Sequence, residues 1–209
     1  MTPRTVRCWF CTLLTALCTG CGGGGGEPAQ IRVAFYGDSV TSGDGLSPRP
    51  VAEIAALAGV VGIDHSRGGD WACNWTAVLD DADVVVLRFA AADAVVHGMA
   101  GIDDFEACLV ALARSTSKPV ILTGTVWTAQ PEGLSPATYE ALSQAITAYD
   151  ARVRAVAQTL RVPFVDIRSL PFAGREDLRD DVHPSQMYSG RISRLVADSI
   201  TSILDTPRK

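Results

Sequence analysis

Short apolar runs closed by polar or glycine-bearing turns alternate with longer amphipathic stretches from residue 31 onward. Residues 31–36 (IRVAFY) stop at Gly37-Asp38, and residues 60–63, 84–87, 120–122 and 162–167 read in the same way as strands. Val84-Val85-Val86-Leu87 has no polar position to turn toward water, which is how a parallel strand covered on both faces looks. Residues 51–58, 103–114, 135–160 and 185–204 carry the helical pattern instead. Phe105, Leu109 and Leu112 can share one face, as can Leu142, Ile146, Tyr149, Val153 and Val156. Ser135-Pro136 offers a capping hydroxyl followed by the residue best suited to a first helical position. Five strands alternating with helices predict an α/β domain built on one parallel sheet with helices on both faces.

The chain has 209 residues, 47% of them apolar and 20% charged, which suits one domain and is too apolar for disorder. Lys and Arg number 18 against 23 Asp and Glu, with no basic block, so no nucleic-acid partner is expected. No Cys/His cluster has zinc spacing, and the expectation is of no metal and no cofactor.

The first 20 residues read as an address. Arg4 and Arg7 precede a mostly apolar run from Cys8 to Leu17, which is the length of a signal-peptide core rather than of a spanning helix. Leu17-Cys18-Thr19-Gly20-Cys21 resembles a bacterial lipoprotein signal, although Cys18 stands where a small aliphatic residue is usual. The resemblance makes residues 1–20 the signal, Cys21 the lipidated new N-terminus, residues 21–30 a glycine-rich tether and residues 31–209 the folded domain. An ordinary secreted protein is the alternative. Removing residues 1–20 takes away two Arg and no acid, which moves the net charge from −5 to −7. Cys73 and Cys108 are then the cysteines left besides Cys21; one disulfide and two separate thiols are both open.

In a sheet of this kind ligands bind beyond the carboxyl ends of the strands. Four polar sets follow strands there: Gly37-Asp38-Ser39, residues 66–70, residues 88–93, and residues 180–183. A serine hydroxyl needs a base within hydrogen-bond reach to become a nucleophile. His183 is the obvious base. In Asp180-Asp181-Val182-His183, an Asp three residues earlier can take the Nδ1 proton and leave Nε2 facing the serine.

A Gly-Asp-Ser turn after the first strand and an Asp-x-x-His before the last helix, taken together, resemble the GDSL, or SGNH, family of serine hydrolases. The resemblance spans residues 31–204 and implies a three-layer, flavodoxin-like sandwich with a five-stranded parallel sheet. It makes Ser39 the nucleophile, His183 the general base and then acid, and Asp180 its orienting partner, with Asp181 the rival for that last role. Gly69, in Ser66-Arg67-Gly68-Gly69-Asp70, fits the glycine whose N–H enters the oxyanion hole beside the N–H of Ser39; Gly68 is the alternative.

The third family block, Gly-x-Asn-Asp, is where the sequence departs. Aligned on Asp93, Ala90 replaces the Gly and Ala92 the Asn, and a methyl cannot donate a hydrogen bond. Asn74 and, less directly, Arg88 are candidates to fill that gap. Trp71, Trp75 and Trp127 lie in or near candidate site loops, while His65 and His97 lack a partner motif. The expected function is a serine esterase of the bacterial cell envelope, lipid-anchored, acting on small acyl esters or acetylated glycans. An acyltransferase and a catalytically impaired glycan-binding module are the rival readings. The oligomeric state is left open.

Overall fold

The computed structural model describes residues 29–79, 81–130 and 133–205. The signal of residues 1–20, Cys21 and most of the tether lie outside the described residues. In chain order the elements are β1 (Arg32–Gly37), α1 (Ser39–Ser42), α2 (Pro50–Ala58), β2 (Val61–Asp64), β3 (Val84–Arg88), α3 (Ala91–His97), α4 (Ile102–Arg114), β4 (Val120–Thr123), α5 (Pro136–Leu160), β5 (Phe164–Val165) and α6 (Gln186–Leu204). The five strands form one parallel sheet in the order β2-β1-β3-β4-β5. This is the flavodoxin-like order expected from the resemblance.

Side chains alternate across the central strands and divide the core in two. Val33, Phe35, Val84, Val86 and Ile121 face α2 and α6, meeting Ile54, Tyr188, Ile192, Val196 and Ile200. Ala34, Tyr36, Val85, Leu87 and Leu122 face the other way, onto Phe105, Leu109 and Leu112 of α4 and Tyr149, Val153 and Val156 of α5. The result is the three-layer sandwich. All six of the last-named helical side chains are at most 2% exposed, so the apolar spacing read along those stretches is the face that packs.

Ser135 caps α5, its side chain accepting from Thr138 N–H, with Pro136 at the first helical position. The strand expected at residues 162–167 shrinks to Phe164–Val165. Pro163 has no N–H to give the ladder, and the chain turns into a 3-10 helix at Ile167–Ser169. Helix α3 is an element that the sequence pattern does not assign; seven residues are too few for a periodic signal.

Strand order reverses between β1 and β3, and a crevice opens beyond their carboxyl ends where the connections leave toward opposite faces. The segments entering it are the β1–α1 junction and the β3–α3 junction.

Candidate active site

Ser39 is the first residue of α1, a single turn that begins where β1 ends. Gly37 permits that tight junction. A methyl group there would stand 2.2 Å from Thr41 Oγ1 and 2.3 Å from the Arg88 carbonyl, so only glycine fits. Thr41 donates its hydroxyl hydrogen to that same carbonyl at 3.1 Å, stapling α1 to β3. Asp38 caps the turn: its Oδ1 accepts from Val40 N–H at 3.0 Å, and its Oδ2 accepts from Ala92 N–H at 3.1 Å. One carboxylate therefore fixes α1 and the start of α3 relative to each other. Burial raises the pKa of Asp38; the Ala92 N–H and the nearby Arg88 guanidinium oppose that rise. Arg88 is itself buried, which lowers its pKa to about 10.

His183 arrives from the loop before α6. Its Nε2 lies 2.9 Å from Ser39 Oγ, and its Nδ1 lies 2.8 Å from Asp180 Oδ2 and 3.0 Å from Oδ1. With the ring proton on Nδ1 donated to the carboxylate, Nε2 is left to accept from the serine hydroxyl. Asp180 Oδ1 also accepts from the backbone N–H groups of Val182 at 3.0 Å and His183 at 2.8 Å, so the loop folds around its own carboxylate. Partial burial alone would raise the Asp180 pKa, but these two amides and the imidazole outweigh it and hold the pKa below the usual carboxylate value. Asp181, the rival in sequence, pairs with Arg175 instead.

Gly69 joins Ser39 and His183 in lining a cavity of about 200 Å³; Gly68 does not. The backbone φ of Gly69 is +72°, a conformation in which glycine carries no side-chain penalty. At Ser39 the capping bonds begin from Val40 N–H and Thr41 N–H, which leaves the Ser39 N–H outside them.

The β3–α3 junction is unusual. Ala90 sits at φ +107°, ψ −32° with its side chain fully buried, a backbone position where a Cβ is strained. Asp93 anchors this corner: its Oδ1 accepts from Ala72 N–H and its Oδ2 from Ala90 N–H, each at 3.2 Å. It thereby links the loop that carries Gly69 to the start of α3. Burial pushes its pKa up to about 7 in spite of the two amides, with the charge of Asp38 adding to the rise. In the sequence Asp93 marks only the alignment of the third block, and nothing beside it signals the two amides it meets.

Ala92 lines the cavity, and its N–H is committed to Asp38. Neither replacement donor proposed from sequence reaches this space. The amide of Asn74 donates to Asp70 Oδ1, and Arg88 is buried near Asp38; neither lines the cavity. Trp71, Trp75 and Trp127 also stand outside the cavity. Trp71 meets His97 edge-on, Trp75 meets Tyr36 edge-on, and Trp127 is covered by Arg168 and Phe172. His65 stacks on Tyr36 and contacts Asp81. Cys73 and Cys108 form a disulfide that ties the 3-10 turn at Ala72–Asn74 to α4.

The fold is shared with several solved structures. A lipase/acylhydrolase from Enterococcus faecalis superimposes with a TM-score of 0.68 at 22% identity, covering 86% of this chain and 100% of that one. An acetylxylan esterase from Geobacillus stearothermophilus gives 0.64 at 19% identity, over 81% and 94%. A salicylyl-acyltransferase from a tetracycline biosynthetic pathway gives 0.64 at 20% identity, over 88% of this chain and 58% of that one. No curated protein matches the sequence. The family model described as the GDSL-like lipase/acylhydrolase family matches residues 35–187, which reach from within β1 to the start of α6 and include both junctions and the His183 loop, and the chain belongs to that family of hydrolases.

Proposed function

We propose that this protein is a serine esterase that cleaves carboxylic esters through an acyl-enzyme. The observation that carries the reading is the continuous hydrogen-bond chain from Ser39 Oγ through the His183 imidazole to the Asp180 carboxylate. Ser39 Oγ attacks the ester carbonyl as its proton passes to His183 Nε2, and the imidazolium that forms is stabilised by Asp180. The developing oxyanion is held by the N–H groups of Ser39 and Gly69. His183 then gives the proton to the departing alcohol oxygen, leaving the acyl group on Ser39. A water molecule, deprotonated by the same nitrogen, attacks that acyl group, and collapse of the second oxyanion returns the acid and the free serine.

Ala92 adds no donor to the oxyanion site. Loss of one such donor typically costs ~10²–10³ in turnover, so the enzyme works with two donors and at reduced rate. Small acyl esters and O-acetyl groups on polysaccharide are the substrate classes this reading covers. Lipidation at Cys21 and the glycine-rich tether place the domain at the surface of a bacterial envelope membrane. Cys21→Ala then shifts the protein from the membrane to the soluble fraction; a variant that stays with the membrane argues for another mode of retention.

The test of the chemistry is hydrolysis of p-nitrophenyl acetate by the full chain and by Ser39→Ala. Turnover that disappears in the variant is expected; turnover that survives removes Ser39 from the mechanism. Likeness to an acyltransferase structure keeps acyl transfer as a second reading. Labelled acyl groups appearing on an added glycan faster than on water would favour it.

A further inference from the structure

We infer that the ester this site takes carries an aliphatic acyl chain longer than acetyl, an inference that rests on the esterase reading and narrows its substrate class. The cavity beside Ser39 has an apolar lining. Its wall on α3 is Ala92, Val95 and Val96, three and four residues apart and therefore on one face of the helix. Val126, Ile146 and Val182 add further apolar side chains to the lining. Among the lining residues Ser39, His183 and Thr128 are the ones with polar side chains, and the first two are occupied with each other.

Val95 and Val96 are 52% and 54% exposed, although both belong to residue types that proteins normally cover. An apolar pair held open at the mouth of a reactive serine leaves surface to be covered by substrate. Ala92 extends the same wall up to the carbonyl position, where a polar side chain would have interrupted it. A glycan pressed against this wall would lose water from each hydroxyl with no partner in return. Methylene groups suffer no such loss, and a cavity of about 200 Å³ holds several of them beyond the methyl of an acetyl group.

The experiment compares kcat/KM of the full-length protein on p-nitrophenyl acetate, butyrate, hexanoate and octanoate with a second series of acetates bearing ethyl to hexyl alcohols. The expected result is a rise of about fourfold for each buried methylene in the acyl series until the cavity is full, and a flatter alcohol series. Val95→Thr and Val96→Thr keep the side-chain shape on an exposed helix face, and each lowers the hexanoate-to-acetate ratio severalfold. Acetate as the best acyl group overturns the inference, as does a steeper rise on the alcohol side or a ratio unmoved by both variants. If acetate is preferred but its hydrolysis still requires Ser39, only this inference fails. No turnover of any ester overturns it together with the esterase reading.

Discussion

Ser39 and His183 are separated by 144 residues, yet Oγ of the first lies 2.9 Å from Nε2 of the second. The pairing follows from the sheet order. The first strand lies inside the sheet between β2 and β3, so its carboxyl end opens where strand order reverses, and the loop entering the last helix crosses the same end. The imidazole Nδ1–H donates to the Asp180 carboxylate, which also accepts from two backbone N–H groups, and these bonds hold the ring in place. A hydroxyl, a ring and a carboxylate are thus aligned before substrate arrives.

Asp180→Asn leaves the shape of that loop nearly intact but offers an amide where the imidazole needs an acceptor. The wrong tautomer of His183 is then favoured, and kcat on p-nitrophenyl acetate falls by up to about 10⁴-fold with a smaller change in KM. A loss of less than tenfold would show that Asp180 does not set the tautomer.

Ala92→Asn places an amide donor on the cavity wall beside Ser39. If two N–H groups alone hold the oxyanion, kcat rises at least tenfold, toward the ~10²–10³ that one donor is worth. An unchanged or lower rate on p-nitrophenyl acetate, with melting unaltered, counts against a site short of one donor.

Ala90→Gly relaxes a backbone held at φ +107°. The relief of roughly 1–3 kcal/mol of strain offsets about 0.8 kcal/mol for the buried methyl and up to about 1 kcal/mol for a more flexible unfolded chain. Urea unfolding should therefore place the variant between about 1 kcal/mol below and about 2 kcal/mol above the parent. A loss greater than about 1 kcal/mol would mean that the methyl contacts outweigh the strain.

Asp93 makes stability depend on pH in the direction opposite to a salt-bridged carboxylate. Its folded pKa, about 7, lies above the ordinary value of about 3.9, so between those two values the folded state binds more protons than the unfolded one. This contribution is fully present below about pH 4 and is lost as pH rises through about 7, at no more than about 1.4 kcal/mol per pH unit. The destabilisation caused by Asp93→Asn, measured by urea unfolding, is accordingly larger at pH 5 than at pH 8. A difference that does not change with pH would mean that Asp93 titrates normally.

Replacing both Cys73 and Cys108 by Ser removes a cross-link between residues 35 apart in sequence. Chain entropy sets the loss at about 3–4 kcal/mol, visible as a lower urea midpoint that matches the reduced parent. A midpoint equal to that of the oxidised parent would mean the bond adds no stability.

The layered architecture is legible in the chain, because strand and helix patterns are local and survive in the order of apolar residues. The buried run at Val84–Leu87 and the capped start at Ser135-Pro136 could be read directly, and so could the Gly-Asp-Ser and Asp-x-x-His segments that meet in the site. Packing settled whatever depends on approach between distant segments. It chose Asp180 over Asp181 for the imidazole, joined Cys73 to Cys108, and brought Asp38 and Asp93 to amides 54 and 21 residues away. It also turned Asn74 and the tryptophans away from the cavity and built its apolar wall from a seven-residue helix too short to announce itself. Local patterns fix which elements form; hydrogen bonds and burial between elements depend on angstrom-scale packing that no single segment encodes.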